Sequence, residues 1–196
     1  MSPPRTLTIE EQHGLLESLL PESTNHYEFT ISLRNYTLAM LLLETGLRIG
    51  EAVQLTIGDL RFADQPVKTL EVRAEIAKTK QPRRIPVSTR LSLAITKLNE
   101  QFWKPLLKID SDPAFIAGPK NNALTTRQVQ RILEAAALAA GIRRVTPHML
   151  RHTFATRVLA RSNIRVTQML LGHMSLQSTQ IYTHPDDDQL RKAVEP

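Results

Sequence analysis

The chain has 196 residues, 41% hydrophobic and 22% charged, which suits a globular domain with a buried core. It has no cysteine, so disulfides, thiolate metal sites and cysteine nucleophiles are excluded. The formal net charge of +6 favours a polyanionic partner, although many basic proteins bind no nucleic acid. We expect no secretory signal and no membrane span, because the longest apolar run, Leu38–Leu43, is far shorter than the ~20 residues a span needs.

The first part of the sequence predicts two helices followed by a sharp corner. Thr8, with Glu11 three residues on, forms a capping-box pattern that begins the first helix, and Pro21 ends it. The second helix is predicted from Thr30 to Thr45, with its apolar second half in the core. Arg48 then lies at a corner between two buried helices, which would hold its long side chain in one direction.

After this corner the hydrophobic period changes from helical to alternating. Residues 70–76 alternate apolar and polar side chains, which predicts a half-buried strand, and residues 78–82 form a turn. Residues 84–87 return as a second strand, at a sheet edge because Pro86 has no backbone N–H to donate. With a short strand near residues 60–62, these segments predict one small antiparallel sheet with a basic tip.

The second half of the chain is predicted to be helical again. One helix is expected over residues 90–103, and a second from Thr125 or Thr126 to Gly141. A third begins at Thr146 and Pro147, and a short fourth helix is capped by Gly172. In this short helix Val166, Met169 and Leu170 are expected to face the core. The predicted fold class is mainly α with a small antiparallel β-sheet (α+β), in a single domain spanning residues 1–196.

Titratable side chains recur at short spacings near the end of the chain. His148 and Arg151 would lie on one face of a helix, in its first two turns, where the helix N-terminus favours an anion. His173 and Tyr182 follow. Each has an ordinary alternative explanation, since a lone histidine is usually structural or exposed and a lone tyrosine is usually packed. Their combination instead indicates a site that breaks and rejoins a DNA backbone.

The combination resembles the tyrosine recombinase (phage integrase) family. Four segments carry the resemblance, in the family's order and with its spacing: Thr45–Glu51, Pro147–Thr156, Leu171–His173 and Ile181–His184. The resemblance covers essentially the whole chain as the family's catalytic domain. It implies the fold of that domain and the activity of a site-specific DNA recombinase.

The resemblance also implies a nucleophile and a general acid. Tyr182 would attack the scissile phosphate, form a 3′-phosphotyrosyl link and release a 5′-hydroxyl. Lys78 would protonate the leaving oxygen. The family usually carries this lysine in a glycine-containing β-turn, and the turn here has no glycine, so Lys80 remains a competitor.

The resemblance further implies residues that bind the phosphate. Arg48 and Arg151 would clamp its non-bridging oxygens, and His148 and His173 would hydrogen-bond the phosphate region. Glu51 would hold the architecture around Arg48. An ion pair of purely structural purpose between Arg48 and Glu51 is the alternative.

Elementary chemistry supports this assignment. A phenol has a pKa near ~10 and needs a neighbour to accept its proton, and His148 is suited because imidazole titrates near neutrality. Two guanidiniums match a phosphate that gains charge as it becomes five-coordinate. No carboxylate cluster near the motif suits magnesium, and the phosphotyrosyl bond conserves the energy of the broken bond. We therefore predict a reaction without metal, ATP or any other cofactor.

Double-stranded DNA is the expected partner, and further basic residues are candidates for contacts to its backbone. These candidates are Lys80, Arg83, Arg84, Arg127, Arg131, Arg157, Arg161 and Arg165, with Arg143 and Arg144 as additions. For each of them, a solvated basic face is the alternative.

The family's separate N-terminal clamping domain has no counterpart in this sequence, which therefore suggests an excised fragment or a naturally short recombinase. Weak, salt-sensitive DNA binding is expected. Residues 187–194 suit a short tail helix that would dock on a neighbour in a homo-tetramer on DNA, or back on its own domain. A cytoplasmic, nucleoid-associated location and a bacterial, phage or plasmid origin are expected.

Three other functions remain as alternatives. A type IB topoisomerase shares the chemistry but would relax supercoils as a monomer without a defined site. A non-catalytic DNA-binding regulator could keep the fold. A metal site of His148, His152 and His173 lacks a carboxylate at suitable spacing.

Overall fold

The computed structural model describes residues 5–117 and 122–172. The helices in these ranges are α1 (Ile9–Glu17), α2 (His26–Thr45), α3 (Ile49–Ala52), α4 (Ile57–Leu60), α5 (Thr89–Leu98) with a π-helical turn (Asn99–Trp103), α6 (Thr126–Ala139), α7 (Pro147–Arg161) and α8 (Ile164–Leu171). The strands are β1 (Arg61–Phe62), β2 (Gln65–Pro66), β3 (Thr69–Val72) and β4 (Arg83–Pro86). No helix within these ranges is long and apolar enough to cross a membrane.

The central element is α2, which packs against α5 and α7. Its residues Leu38–Leu43 are all buried, as their apolar run predicts. The helix begins at His26, one turn before the predicted start, because the Asn25 side chain accepts hydrogen bonds from the backbone N–H groups of Tyr27 and Glu28. The predicted start at Thr30 was therefore wrong, since it overlooked this N-cap.

The corner after α2 depends on Gly46. Its φ of 61° is in the left-handed region, and a Cβ atom there would lie 2.3 Å from the ring of Phe154 on α7. The glycine therefore ends α2 and allows α7 to approach closely. Arg48 follows as the N-cap of α3, with extended backbone.

The strands form two separate two-stranded antiparallel sheets, β1–β2 and β3–β4. The prediction of a single sheet was wrong in this respect. The strand predicted over residues 70–76 also ends early, at Val72. A turn follows, in which the Arg73 carbonyl accepts hydrogen bonds from the N–H groups of Ile76 and Ala77. The alternating pattern beyond Val72 thus belongs to a turn and not to a strand.

Two polar N-caps order the end of the described chain. Thr146 caps α7, with Pro147 in its first turn, and Asn163 caps α8. The buried residues of α8 are Thr167, Gln168 and Leu171, which share one face of the helix. Val166 and Met169 lie outside this stripe and are 39% and 65% exposed, so the prediction that they face the core was wrong.

Candidate active site

Four of the six predicted catalytic side chains line one cleft of about 350 Å³. The cleft is lined by Arg48, Ile49, Gly50, Glu51, Gln54, Ile76, Lys78, Pro147, His148 and Arg151. These residues come from the corner after α2, from the loop after β3 and from the first turns of α7. The other two predicted catalytic residues, His173 and Tyr182, lie outside the described residues, as does the tail segment 187–194.

The start of α7 presents two charged or titratable side chains at different depths. Thr146 Oγ1 accepts the backbone N–H of Met149 at 3.2 Å, which fixes the first turn. His148 is exposed on the cleft, whereas Arg151 is only 5% exposed. Arg151 Nη1 donates to the Gly46 carbonyl at 2.5 Å, and its Nη2 donates to the Leu171 carbonyl at 2.7 Å. This arginine therefore ties the corner after α2 to the end of α8.

Arg48 is held by Glu51 at both ends of the residue. The Arg48 backbone N–H donates to Glu51 Oε2 at 2.8 Å, and Arg48 Nη1 donates to Oε1 at 3.3 Å. The Arg48 side chain keeps 23% of its surface exposed to the cleft, while Glu51 keeps only 2%. The structural ion pair and a phosphate-directed role are thus compatible, because the pair leaves part of the guanidinium accessible.

The buried Glu51 carboxylate also binds Arg83 of β4. Arg83 Nη1 donates to Glu51 Oε1 at 3.1 Å, and Nη2 donates to Oε2 at 2.6 Å. Burial alone would raise the pKa of Glu51, but hydrogen bonding and charge from Arg83, aided by Arg48, outweigh it and hold the pKa below its ordinary value. Glu51 is therefore a buried anion between two arginines.

The loop after β3 separates the two candidate lysines. Among the described residues that line the cleft, Lys78 is present and Lys80 is not. The Lys78 side chain is exposed, and its backbone N–H is 3.5 Å from Glu51 Oε1. Lys80 adopts a φ of 54°, the conformation usually left to glycine in such a turn, and its Nζ donates to the Glu75 carbonyl at 3.2 Å. The glycine-free turn is thus closed by Lys80.

His152 stands beside the cleft residues of α7 and is half-buried. Burial lowers the pKa of His152, and the neighbouring His148 and Arg151 lower it further. The neutral imidazole is consequently favoured at this position.

Most candidates for DNA-backbone contacts are exposed on the surface. The exposed ones are Lys80, Arg84, Arg127, Arg131, Arg143, Arg144, Arg161 and Arg165. Arg83 is a correction to that prediction, and Arg157 is only partly exposed. Arg83 is buried against Glu51, and Arg157 donates to Glu44 Oε1 at 3.2 Å and to the Leu43 carbonyl at 2.9 Å. The Arg83 guanidinium is committed within the fold, whereas the Arg157 side chain keeps 25% of its surface exposed, so a DNA contact by Arg157 stays a prediction.

One residue that lines the cleft and one pairing beneath it were missed in the sequence. Gln54 lines the cleft and donates to the Gly50 carbonyl at 2.5 Å, a position that its helical spacing from Glu51 could have indicated. The partnership of Arg83 with Glu51 had no sequence signal, because 32 residues separate the two. Within residues 5–117 and 122–172, no three His, Cys, Asp or Glu side chains are grouped to hold a metal ion.

Cationic side chains around a helix N-terminus, above one buried carboxylate, define an anion-directed site. Residues 12–189 match the profile of the phage integrase family, and the chain belongs to that family. The predicted family is therefore confirmed. Similar proteins in the family are named tyrosine recombinase XerC, XerD or XerA.

Three comparisons illustrate the likeness. Tyrosine recombinase XerC of Herpetosiphon aurantiacus is 33% identical over 96% of this chain and 58% of its own length. Tyrosine recombinase XerA of Pyrococcus furiosus is 36% identical over 98% of this chain and 61% of its own length. The structure of XerH bound to its difH substrate, in a pre-cleavage complex, has a TM-score of 0.77 and 28% identity over 98% of this chain and 54% of that one.

The fold agrees with these relatives. A crystal structure of XerA recombinase matches with a TM-score of 0.73 and 29% identity over 98% of this chain and 63% of that one. Together with the helices and small antiparallel sheets, this match confirms the predicted fold class. The chain spans between about half and three fifths of the length of these curated relatives.

Proposed function

We propose that this protein is a site-specific DNA recombinase that cleaves and rejoins strands through a covalent 3′-phosphotyrosyl intermediate. The observation that carries the proposal is the cleft in which Arg48, Lys78, His148 and Arg151 meet, in a chain of the phage integrase family. Similar chains are named tyrosine recombinases, and a similar solved structure is described as the XerH site-specific recombinase bound to its difH substrate in a pre-cleavage complex. These names support the same activity here.

The reaction is an exchange of one phosphodiester for another. The Tyr182 hydroxyl oxygen attacks the scissile phosphorus, and the bond to the 5′ oxygen breaks. His148 accepts or shares the phenol proton, and Lys78 protonates the departing oxygen. Rejoining runs the same steps in reverse with a 5′-hydroxyl as the nucleophile. Because bond energy is conserved in the phosphotyrosyl link, the proposal needs no ATP, and the guanidiniums of Arg48 and Arg151 would supply the positive charge that a metal ion provides in other phosphoryl transfers.

The arginines stabilise the charge that develops on the phosphate. Arg151 is tied to two backbone carbonyls and Arg48 to the buried Glu51, so both are oriented before DNA arrives. Preorganised donors cost little reorganisation during the reaction, which is their main catalytic advantage. His173 is assigned a further hydrogen bond to the phosphate region.

The wider setting is part of the proposal. The chain would act as a single catalytic domain on a double-stranded DNA site, as a homo-tetramer in which residues 187–194 dock on a neighbour. Exposed basic residues such as Arg127, Arg131 and Arg161 would contact the DNA backbone. The protein would work in the cytoplasm on chromosomal, phage or plasmid DNA.

Covalent capture tests the proposal without a known target site. The protein is incubated in EDTA with nicked duplexes whose arms carry randomised sequence. The mixture is then denatured, protein-bound strands are separated from unbound DNA, and the bound strands are sequenced. We expect denaturation-resistant adducts enriched in one sequence, and none with Tyr182→Phe. Equal adducts with Tyr182→Phe would contradict the nucleophile, and adducts with no sequence preference would favour the topoisomerase.

A further inference from the structure

Arg83 occupies an unusual place for an arginine on a strand of a small hairpin. Its side chain is only 4% exposed, and its two terminal nitrogens bind the two oxygens of Glu51 at 3.1 and 2.6 Å. Its Nε donates to the Leu170 carbonyl at 3.0 Å. One planar guanidinium therefore joins three elements: β4, which carries it, α3, which carries Glu51, and the last turn of α8.

The end of α8 is held from two sides. Arg83 binds the Leu170 carbonyl, and Arg151 binds the next carbonyl, that of Leu171, at 2.7 Å. At Gly172, with φ 63°, a Cβ atom would lie 2.9 Å from Arg83 Cδ. The side chain of Arg83 is anchored at its guanidinium, so it has little freedom to retreat. Only glycine at this position allows the arginine to pass so close to the helix end.

We propose that Arg83 is a positioning residue, which sets the end of α8 relative to the Arg48–Glu51 corner and so fixes Gly172, the point from which the chain continues toward the predicted His173 and Tyr182. Arg83 is not assigned a contact with DNA. The inference rests on the proposed function, because a role for His173 at the phosphate belongs to that function. A role in stability alone is the opposing interpretation.

The geometry requires an arginine and not simply a positive charge. The planar fork of a guanidinium can donate to both oxygens of one carboxylate while its Nε donates to a third acceptor. Lysine keeps the charge beside Glu51 but presents a single ammonium on a flexible stem. Arg83→Lys should therefore keep the ion pair and loosen the grip on Leu170, which separates positioning from charge compensation.

The test compares Arg83→Lys with Arg61→Lys, because the Arg61 side chain also binds a carboxylate (Asp110 Oδ1, 3.1 Å) and a backbone carbonyl (Lys108, 3.2 Å) but does not line the cleft. Both full-length variants are measured at a temperature where circular dichroism shows them folded, using a nicked substrate found by covalent capture. DNA affinity and the single-turnover rate of adduct formation are recorded separately. We expect Arg83→Lys to keep its affinity and to lose rate by roughly 100-fold, the size that an ~1 Å misplacement can produce. Arg61→Lys should keep its rate.

A substrate with sulfur in place of the 5′ leaving oxygen shows whether Arg83 acts through the end of α8 or through the loop that carries Lys78. A thiolate leaves without protonation, so it relieves the need for Lys78 as general acid. The slow rate of Lys78→Ala should recover on this substrate, whereas that of Arg83→Lys should not. Full recovery of Arg83→Lys would overturn the inference, because Arg83 would then act through the lysine loop.

Gly172→Ala provides a second variant that keeps every charge. The added Cβ must displace Arg83 or the end of α8, so the adduct rate should fall again while DNA affinity is kept. If Arg83→Lys does not fold, this variant alone decides the inference, and a wild-type rate overturns it. If wild-type protein forms no adduct on any captured or random duplex, the proposed function fails. If wild-type protein reacts and both variants react equally fast, only the role of Arg83 is wrong.

Discussion

The floor and the rim of the cleft hold their charges in different ways. The floor consists of Glu51 and Arg151, with Arg83 bound behind Glu51, and all three are less than about one tenth exposed and bound to fixed partners from distant parts of the chain. The rim consists of the exposed Lys78 and His148. A buried charge stays in place because losing its partner is expensive, whereas an exposed charge can move and titrate at little cost. The floor is therefore suited to orientation and the rim to proton transfer.

The largest expected effect comes from breaking the floor. Glu51→Gln removes the carboxylate that pairs with Arg83 and leaves a buried guanidinium without its counter-charge. We expect a loss of about 3–5 kcal/mol in the free energy of unfolding, measured by urea denaturation. Glu71→Gln is the matched control, because its pair with Arg84 is exposed, and should change stability by less than about 0.5 kcal/mol. Equal stability of the two variants would remove the distinction between floor and rim.

A change at the rim should affect the reaction and not the fold. Lys78→Ala should slow adduct formation by roughly 100-fold, the usual contribution of a general acid, with unchanged unfolding by urea. Lys80→Ala serves as the control, because Lys80 does not line the cleft although it lies two residues away. A loss of rate in Lys80→Ala with normal activity in Lys78→Ala would reverse the assignment of the general acid.

His152 is intermediate in burial between the floor and rim residues, and its titration should affect the stability of the fold. Its folded pKa is lowered from 6.5, so the unfolded chain binds a proton more readily than the folded chain. Its contribution to stability is therefore present above pH 6.5 and is lost as the pH falls through the folded value. Because protonation of His152 favours the unfolded chain, the urea midpoint of wild-type protein should drop more between pH 7.5 and pH 5.5 than that of His152→Gln. Parallel curves for the two proteins would show that His152 does not contribute.

The smallest effects are expected on the exposed surface away from the cleft. Arg127 and Arg131 lie four residues apart on α6 and are exposed. If both contact DNA phosphates, each change to glutamine should reduce the salt dependence of DNA binding by about one in log–log slope. Arg157→Gln is the comparison, because Arg157 is already paired with Glu44. Identical slopes in all three variants would argue for a solvated basic face.

Local patterns in the sequence predicted much of the fold, because caps and apolar runs act over a few residues. The capping box of Thr8 and the cap at Thr146 were placed correctly, and of the two caps predicted for α6, Thr125 or Thr126, the structure has Thr125. Errors arose where a pattern had two explanations. The alternation beyond Val72 belongs to a turn, and the apolar Val166 and Met169 lie on the exposed side of α8.

The side chains of the candidate site were predicted from motifs, but the buried interactions that hold them in place were not. Arg48, His148 and Arg151 could be named because each lies in a recognisable segment, and Lys78 because it directly follows the alternating segment. The partnership of Arg83 with Glu51 could not, because it depends on how β4 packs against α3 and α8 in three dimensions. From the sequence, Arg83 and Arg84 are equivalent basic neighbours. In the structure, the alternation of a β-strand directs one inward and the other outward.

The most direct test of the account is to map the covalent attachment. The adduct from wild-type protein and a captured DNA is digested with protease and nuclease, and the peptide that carries nucleotide is identified by mass spectrometry. The account predicts nucleotide linked through its 3′ phosphate to Tyr182, at equal yield with and without EDTA. Attachment to another residue, or a linkage through a 5′ phosphate, would contradict it.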